Sequence, residues 1–368
     1  MTRRAPIAGG LLLLVLAPLA GGLIHGLDPA FTEFPPVTQY VRHAPFSLPA
    51  FAVFALLAAA AVALLLRPAW FRFNRPPDQP AVRNPQSALP PWFFLGLALN
   101  LFSWACAWTR FPALEALNDH LFFPIWLGYV LVMDGLVVRR TGTSLLKKTP
   151  WTFAALFPAS AVVWWYFEYL NRFVQNWWYE RIAHFSALHY AGFATLCFST
   201  VLPAIFETAD GLSSFAWFQS SYREGPRWRP VPRWALPYVV GAGALGLAML
   251  AMAPNPSFFL TWLAPLAVIA GSLALAGVET PFSDLSRGDH TRLFTLAVAA
   301  LACGFFWEMW NFWSLPKWHY TVPYVGGLKV FEMPVVGYAG YLPFGPICWG
   351  LWLALKILFG RADASPSS

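Results

Sequence analysis

Long apolar runs alternate with short polar or proline-rich connections along this chain of 368 residues. Ten of the runs approach the ~20 residues that a helix needs to cross the hydrocarbon core of a bilayer. The pattern therefore predicts an all-α, polytopic integral membrane protein with about ten transmembrane helices. The predicted helices lie near 7–26, 48–66, 91–109, 121–138, 151–170, 185–206, 235–253, 257–277, 292–313 and 335–358.

Composition agrees with a membrane protein. Charged residues make up 11% of the chain, against roughly 25% in an average soluble protein. With 20 Trp and 33 Phe, the chain holds more aromatic residues than interfacial belts alone require. We expect the surplus to line a binding site, and the partners to be membrane lipids and a hydrophobic small molecule.

The basic residues give a predicted orientation. The net charge of +7 does not indicate a nucleic-acid-binding protein, because the Lys and Arg residues are distributed according to the predicted membrane topology. With the N-terminus on the cytoplasmic side, 18 of the 24 Lys and Arg residues fall on that side, as the positive-inside rule requires. We therefore expect a multi-pass protein of the cytoplasmic membrane with both termini in the cytoplasm and no nucleic-acid partner.

Motifs for cofactors are missing from the sequence. It holds no glycine-rich nucleotide loop, P-loop, GxSxG or HExxH motif, so no cofactor and no metal are expected. The four cysteines lie in apolar runs without metal or disulfide spacing, and we interpret them as small buried hydrophobic residues. Of the seven histidines, all but His290 map to the outer side. A titratable or metal-binding outer surface is the less favoured interpretation of this bias.

Three short blocks occur twice in the same order and indicate an internal repeat. Helices four to six and helices eight to ten would form the two copies, and helix seven would restore the chain direction, so that the copies are parallel. The predicted regions are 1–110 (three helices), 121–206 (repeat one), 207–256 (basic loop and linking helix), 257–358 (repeat two) and 359–368 (cytoplasmic tail). The blocks are Phe122–Leu127 with Phe258–Leu263, Trp165–Asn171 with Phe305–Asn311, and Tyr190–Phe193 with Tyr338–Tyr341.

Each repeat carries one glutamate and one asparagine three residues later, on one face of a helix. These are Glu168 with Asn171 and Glu308 with Asn311. The Asn amide is expected to donate to the carboxylate, and the preceding aromatics to exclude water from it. Burial disfavours the charged carboxylate, and a neutral carboxyl can act as a general acid. We predict these four residues to be catalytic, with a substrate-binding wall of Trp165, Trp178, Trp307, Trp318, Tyr190 and Tyr338.

Simpler structural interpretations remain open for these residues. Each glutamate lies near a helix end and can reach interfacial water, and the aromatics near Trp178 and Trp318 suit an interfacial belt. Asp134, just before a basic loop, is expected to extend to the membrane surface. Glu332 is expected to stabilise a helix N-terminus.

The two three-helix units, each with a glutamate on an intramembrane helix, resemble the fused lycopene-cyclase-domain proteins of carotenoid synthesis. The resemblance covers residues 121–358. The paired-acid motif of that family, of the type Pro-x-Glu-Glu-x-x-Phe, is absent, and single glutamates stand in its place. The resemblance implies an acid pair that acts near a hydrophobic substrate.

The sequence thus favours a membrane-embedded enzyme that applies acid–base chemistry to a lipid or an isoprenoid or carotenoid-type substrate. A multi-pass transporter or flippase is one alternative, because parallel repeats also suit transport. A non-catalytic lipid- or pigment-binding subunit is another, since it would explain the aromatics without the glutamates.

Overall fold

A computed structural model describes residues 3–73 and 87–360. The predicted tail at 359–368 lies almost entirely outside these residues. The described α-helices are α1 (Arg4–His25), α2 (Leu48–Leu66), α3 (Pro91–Thr109), α4 (Phe122–Thr141), α5 (Leu145–Lys148), α6 (Pro150–Val174), α7 (Ala187–Phe198), α8 (Val201–Ser213), α9 (Ala216–Ser221), α10 (Leu236–Met252), α11 (Pro254–Ser257), α12 (Leu260–Leu275), α13 (Thr291–Asn311) and α14 (Tyr341–Phe359). The described strands are β1 (Trp177–Glu180), β2 (Lys317–Tyr320), β3 (Lys329–Val330) and β4 (Met333–Pro334).

A helix lies at each of the ten predicted positions, with α7 and α8 together filling the sixth. Within the described part of the chain, 8 helical segments are long and apolar enough to cross a membrane. Of the other two, α12 has only 16 residues. The 25-residue helix α6 is long enough, but Glu168, Asn171 and Arg172 make it more polar. The prediction of a predominantly helical, multi-pass membrane protein is confirmed.

Local signals explain several helix ends. Helix α4 ends at Thr141 and is followed by Gly142, which has a φ of 81° and donates its N–H to Val138 O. A left-handed residue is a common helix terminator, and glycine adopts that conformation without steric cost. Helix α7 begins after Ser186, whose side chain accepts from the backbone N–H of His189. Such capping satisfies an N–H that would otherwise lack a partner at the first turn.

Glycines bring α3 and α4 into backbone contact. A Cβ added at Gly128 would lie 2.6 Å from Asn100 N and 2.7 Å from Gly96 O. The Asn100 side chain then donates to Ile125 O across the interface at 2.9 Å. Helices in lipid gain their stability from such close packing and interhelical hydrogen bonds. The pair α3–α4 is therefore a rigid support for the residues that α4 presents to the interior.

Aromatic side chains form the centre of the molecule. Trp126 on α4 is fully buried and packs on Trp307 of α13, with ring centroids 4.9 Å apart. Phe167 on α6 is also fully buried and packs on Phe344 of α14 at 5.3 Å. Four helices from the two predicted repeats therefore meet around one aromatic core.

Helix α2 lies against the bundle without being enclosed by it. None of its residues is buried. It is attached near its ends, where Ser47 N donates to Tyr324 O and Tyr222 OH donates to Leu65 O, both at 2.9 Å. Between these points Phe54 packs on Phe258, with ring centroids 5.3 Å apart. Most of its apolar surface faces outward, as expected for a helix in contact with lipid.

Strands β1 and β2 were not predicted. Trp178 and Trp318 were predicted to belong to a substrate-binding wall, with an interfacial belt as the alternative for the aromatics of these segments. The strands pair antiparallel, with Trp177 opposite Tyr320, Trp178 opposite His319 and Tyr179 opposite Trp318. Successive side chains of a strand point to opposite faces of a sheet. Trp177 and Tyr179 therefore point to the same face as their partners, towards the helices. We refer to the end of the bundle that carries these strands as the strand end.

The expected position of Asp134 is wrong. The residue is fully buried rather than extended to a surface. Its carboxylate accepts from Trp92 Nε1 at 2.8 Å, from Ser144 Oγ at 2.9 Å and from Leu146 N at 3.0 Å. Helix α5 and its N-cap residue Ser144 fold back over the end of α4 and supply two of these donors. The carboxylate thus holds together three segments at the end of the bundle opposite the strand end.

Candidate functional site

Asn171 and Asn311 fix the two strands to the helices that precede them. Asn171 Nδ2 donates to Trp177 O at 2.7 Å, and Trp177 N donates back to Asn171 Oδ1 at 3.3 Å. Asn311 makes the same pair of hydrogen bonds with Trp318, at 2.8 and 2.9 Å. The predicted Asn–carboxylate hydrogen bond is therefore wrong at both positions. Each amide makes one donated and one accepted hydrogen bond with a strand backbone, and the carboxyl groups have other partners.

The Glu168 carboxyl is buried and accepts three hydrogen bonds. All of them reach Oε1: Tyr179 OH at 2.6 Å, Trp177 Nε1 at 3.0 Å and Trp164 Nε1 at 3.1 Å. Two of these donors come from β1 and one from the preceding turn of α6. The strand that Asn171 anchors therefore supplies the groups that orient Glu168.

The Glu308 carboxyl is also buried, with a matching but not identical set of partners. Oε1 accepts from Tyr320 OH at 2.7 Å and from Tyr341 OH at 2.8 Å. Trp318 Nε1 donates to Tyr320 OH at 3.0 Å and extends the network by one group. The second oxygen, Oε2, has no hydrogen-bond partner among the described residues.

Tyr179 and Tyr320 correspond to each other in these two networks. Each lies two residues after the tryptophan that pairs with its asparagine, and each donates to its glutamate. Burial raises the pKa of both hydroxyls well above the ordinary value of 10.0. Each tyrosine therefore stays protonated at neutral pH and can donate to its carboxyl group when that group is ionised.

One aromatic cavity of about 430 Å³ lies between these networks. Tyr179, Tyr320 and Tyr341 line this cavity. Neither Glu168 nor Glu308 is among its lining residues. The carboxyls therefore lie one layer behind the wall, and the tyrosine hydroxyls connect them to it. The wall is almost entirely apolar and takes residues from α2, α6, α7, α12, α13 and α14, for example Phe54, Leu57, Trp164, Phe198, Trp262, Trp307 and Tyr341.

The predicted substrate-binding residues divide between several places. Trp307, Trp318 and Tyr190 line the aromatic cavity. The other three do not. Trp165 lines a smaller cavity, Trp178 stacks on His319 with ring centroids 4.7 Å apart, and the Tyr338 hydroxyl donates to Val330 O.

The smaller cavity, of about 250 Å³, lies on the other side of Glu168. Phe31 and Phe34, from the segment between α1 and α2, form one wall, and Arg172 supplies a positive charge. The same carboxyl therefore contacts this cavity directly and the aromatic cavity through Tyr179. Tyr190 lines both cavities.

Several cavity residues were missed from the sequence. Tyr179, Tyr320 and Tyr341 were treated as belt residues or as part of the repeat pattern, although they are the groups that contact both a glutamate and the cavity. A sequence signal existed, because Tyr179 and Tyr320 follow their glutamates at nearly equal spacing. The contribution of α2 had no such signal, since its residues are uniformly apolar.

Charged groups cover the outer face of the strand pair. Lys317 Nζ lies 2.5 Å from Glu332 Oε1, and His319 bridges Glu332 and Glu180 at 3.4 and 2.9 Å. Burial raises the pKa of Glu332, but the hydrogen bond from Lys317 and the nearby positive charges outweigh burial and leave it below 4.5. The predicted helix-capping role of Glu332 is thus replaced by an ion-pair role.

The described histidines include one close pair. His120 Nε2 and His189 Nε2 are 3.0 Å apart, and their rings are nearly parallel. Within residues 3–73 and 87–360, no group of three or more His, Cys, Asp or Glu side chains has the arrangement of a metal site.

Comparison with known proteins gives no relative. No protein-family model, no curated protein and no solved structure matches this chain. The class that the fold and the site define is a multi-pass helical membrane protein with an internal aromatic cavity. Its function has to be argued from that cavity and from the groups behind its wall.

Proposed function

We propose that this protein is an intramembrane enzyme that performs acid–base chemistry on a hydrophobic lipid or isoprenoid-type substrate bound in the aromatic cavity. The observation that carries the proposal is the connection of two buried carboxyls to one apolar cavity. Tyr179 links Glu168 to the wall, and Tyr320 and Tyr341 link Glu308 to it. Buried carboxyls in membranes are costly and are kept mainly where they serve a function.

In the proposed mechanism, protons pass through the tyrosines. In the acid pair the glutamate is protonated and donates to the tyrosine oxygen, and the tyrosine O–H turns from the carboxyl to the substrate. The glutamate then gives its proton to the tyrosine while the tyrosine gives its own proton to the substrate. The opposite glutamate–tyrosine pair accepts a proton from the substrate by the reverse transfer. One proton enters the substrate and one leaves it, so the reaction is an isomerisation or cyclisation and consumes no oxidant, reductant or co-substrate. Both pairs exchange protons with water at the strand end between turnovers.

The wall chemistry supports an apolar substrate. Aromatic rings dominate the lining, and a dry site strengthens the few electrostatic interactions inside it. The proposed entry route is lateral, beside α2, because Phe54 and Leu57 of this unburied helix form part of the wall. A lipid-soluble substrate would thus pass from the bilayer to the cavity without crossing water. An isoprenoid of the carotenoid type fits these conditions and agrees with the resemblance noted from the sequence.

The finer topology belongs to the same proposal. Ten transmembrane helices, with residues 121–206 and 257–358 as two parallel three-helix repeats, would place both glutamates at one depth. The matched Asn–Trp pairs at the strand end support this arrangement. We also propose that both termini are cytoplasmic and that the strand end faces outward, on the basis of the asymmetry of the basic residues.

A non-catalytic binding protein is the second candidate. The observation that favours it is the absence of Glu168 and Glu308 from the described lining of the aromatic cavity. In this alternative the carboxyls only hold the tyrosines and tryptophans of the wall in place. A lipid or pigment would then be bound but not changed.

The test compares lipid extracts from a deletion strain complemented with variants. Wild type restores a product that the deletion strain lacks, whereas Glu168→Gln and Glu308→Gln, although produced at normal levels, leave its precursor to accumulate. Glu180→Gln is the matched control, because Glu180 is exposed and lies on the outer face of the strand pair. Full complementation by both Glu168→Gln and Glu308→Gln would contradict the proposed enzyme and favour the non-catalytic binding protein.

A further inference from the structure

The smaller cavity holds two side chains of opposite charge that do not pair with each other. Glu168 and Arg172 both line it. They lie four residues apart on α6, the spacing at which a glutamate and a basic residue stabilise a helix as an ion pair. Arg172 nevertheless forms no salt bridge with any described residue. Both groups are therefore available to a ligand in this cavity.

Glu168 has one carboxylate oxygen without a partner. Its three donors all reach Oε1, and Oε2 accepts from no described residue. Unlike Glu308 Oε2, Glu168 Oε2 is not shut off from solvent. Glu168 lines the smaller cavity and not the aromatic one, so this accessible oxygen faces the smaller cavity. Because the described partners of Glu168 all donate, the arrangement suits an ionised carboxylate, which only accepts.

The Arg172 guanidinium is also only partly used. Its Nη2 donates to the backbone carbonyl of Glu33, in the segment between α1 and α2. Nε and Nη1 donate to no described residue and are not shut off from solvent. The Glu33 carboxylate does not neutralise the charge, because it accepts from Val37 N and from the N–H and hydroxyl of Thr38. The guanidinium is thus held in place with two nitrogen atoms left for an anionic group.

Aromatic rings enclose the space beside these two charges. The residues that supply them are Phe31, Phe34, Trp165, Tyr169 and Tyr190. Ring faces attract ammonium groups as well as apolar groups. Arg172 lies two residues before the end of α6 at Val174, and basic side chains near the ends of membrane helices reach the level of the lipid head groups. The smaller cavity is therefore placed to receive a head group at the strand end.

We propose that the smaller cavity binds the head group of a phosphatidylethanolamine-type lipid, with its phosphate at Arg172 and its ammonium group at Glu168 Oε2. A guanidinium with unused N–H groups matches phosphate oxygens, and an unused carboxylate oxygen matches an N–H donor. A purely anionic head group would face the Glu168 carboxylate, and a purely cationic one would face Arg172. A choline group would suit the rings but has no N–H to donate to Oε2. The inference goes beyond the proposed enzyme, because it concerns a second cavity and holds whether or not Glu168 transfers protons.

The test measures lipid binding to the purified full-length protein in detergent by native mass spectrometry, which counts and identifies the bound lipids. The probes are dihexanoyl phospholipids with ethanolamine, choline or glycerol head groups, which share the same acyl chains. The ethanolamine lipid is expected to bind about tenfold more tightly than the other two, the ratio for one charge-assisted hydrogen bond. Equal binding of all three lipids would overturn the proposal. Soluble phosphoethanolamine is the fourth probe, and displacement of the lipid by it at equal concentration would show that the occupant is a free zwitterion and not a lipid.

Substitutions of the two charged residues supply the second arm. Arg172→Gln should weaken binding of the ethanolamine lipid about tenfold, and Arg172→Lys, which keeps the charge, should restore most of it. Glu168→Gln should remove the preference for ethanolamine over choline. Arg181→Gln is the control and should bind as the wild type does, because Arg181 is exposed just after β1 and does not line the cavity. If Arg172→Gln fails to fold, the comparison of the three lipids on the wild-type protein still decides the matter.

The outcomes separate this proposal from the proposed enzyme, because binding is measured without turnover. An ethanolamine preference that survives in both Arg172→Gln and Glu168→Gln would overturn the lipid site. Glu308→Gln should keep the preference, since Glu308 does not line the smaller cavity. A preference in the wild type together with full complementation by Glu168→Gln and Glu308→Gln would refute the enzyme and keep the lipid site. Equal binding of the three lipids together with inactive glutamate variants would do the opposite.

Discussion

Trp178 and His319 lie directly opposite each other at the centre of the β1–β2 pair, with their rings stacked. A two-fold rotation about this residue pair, which exchanges the two antiparallel strands, superposes Trp177 on Trp318 and Tyr179 on Tyr320. These are the residues that make matching contacts with Asn171, Asn311, Glu168 and Glu308. The strand pair therefore has a local two-fold arrangement, and the two glutamate networks are related by it. The proposed chemistry depends on this geometry, because it directs two separate proton-transfer groups at one cavity.

The tyrosines are predicted to be essential in the proposed enzyme. Tyr179→Phe and Tyr320→Phe remove one hydroxyl each and keep the ring in the wall. Each should lower turnover on the order of 100-fold, the lower range for loss of a general acid or base. The measurement is product formation by purified protein in nanodiscs. Tyr338→Phe is the control, because that hydroxyl donates to Val330 O outside the cavity, and it should keep full activity.

Replacing the two asparagines should destabilise the strand end. Asn171→Ala and Asn311→Ala each remove two hydrogen bonds to a strand backbone. The expected cost is about 2 kcal/mol each, because buried strand groups lose their partners. Thermal unfolding in detergent measures this directly. Because the asparagines do not contact the carboxyls, activity measured well below the melting temperature should fall much less than in the tyrosine variants. An equal loss of activity would contradict the assigned anchoring role.

Asp134 and Glu207 should differ in their effect on stability. Both are fully buried, but the Asp134 carboxylate accepts three hydrogen bonds while neither oxygen of Glu207 has a partner among the described residues. Asp134→Ala should cost about 3 kcal/mol, since three donors are left without an acceptor. Glu207→Gln should change the melting temperature little. A large destabilisation by Glu207→Gln would reveal a partner for this carboxyl.

The ion pair between Lys317 and Glu332 predicts a dependence of stability on pH. The pKa of Glu332 in the folded protein lies below its ordinary value of 4.5. A group with a lowered folded pKa stabilises the fold above its unfolded pKa, and this contribution is lost as the pH falls through the folded pKa. Thermal unfolding between pH 7 and acid pH should therefore show a loss that begins near ~4.5. Glu332→Gln should be less stable at pH 7 and should show a smaller acid-dependent loss; identical profiles would exclude the ion pair as the cause.

The proposed orientation predicts which residues an impermeant thiol reagent reaches in intact cells. A cysteine placed at Arg181, next to β1, should react, and one placed at Lys147 in α5 should not. The four native cysteines are all buried and should give little background. Labelling after membrane permeabilisation is the control for Lys147. The reverse labelling pattern in intact cells would show that the protein has the opposite orientation in the membrane.

The positions of the helices could be predicted from the sequence. A membrane-spanning helix satisfies its own backbone hydrogen bonds, so a run of apolar residues is enough to define it. Helices α1 and α3 are therefore found where local composition placed them, and the aromatic excess indicated a lined cavity. The recurring glutamates and asparagines were also visible, because polar residues are rare in such runs.

The partners of those polar residues were decided only by the tertiary structure. Trp178 and Trp318 each lie ten residues after their glutamates. Hydrogen bonding to the asparagines nevertheless matches Trp177 with Trp318, since the connection to β2 is one residue longer. The strands themselves depend on pairing across 140 or so residues of chain, which no local pattern encodes. The buried donors to Asp134 also appear only in the folded structure, because α5 folds back over this residue. Local hydrophobicity determines where a membrane helix forms, whereas contacts between distant segments determine what its polar groups bind.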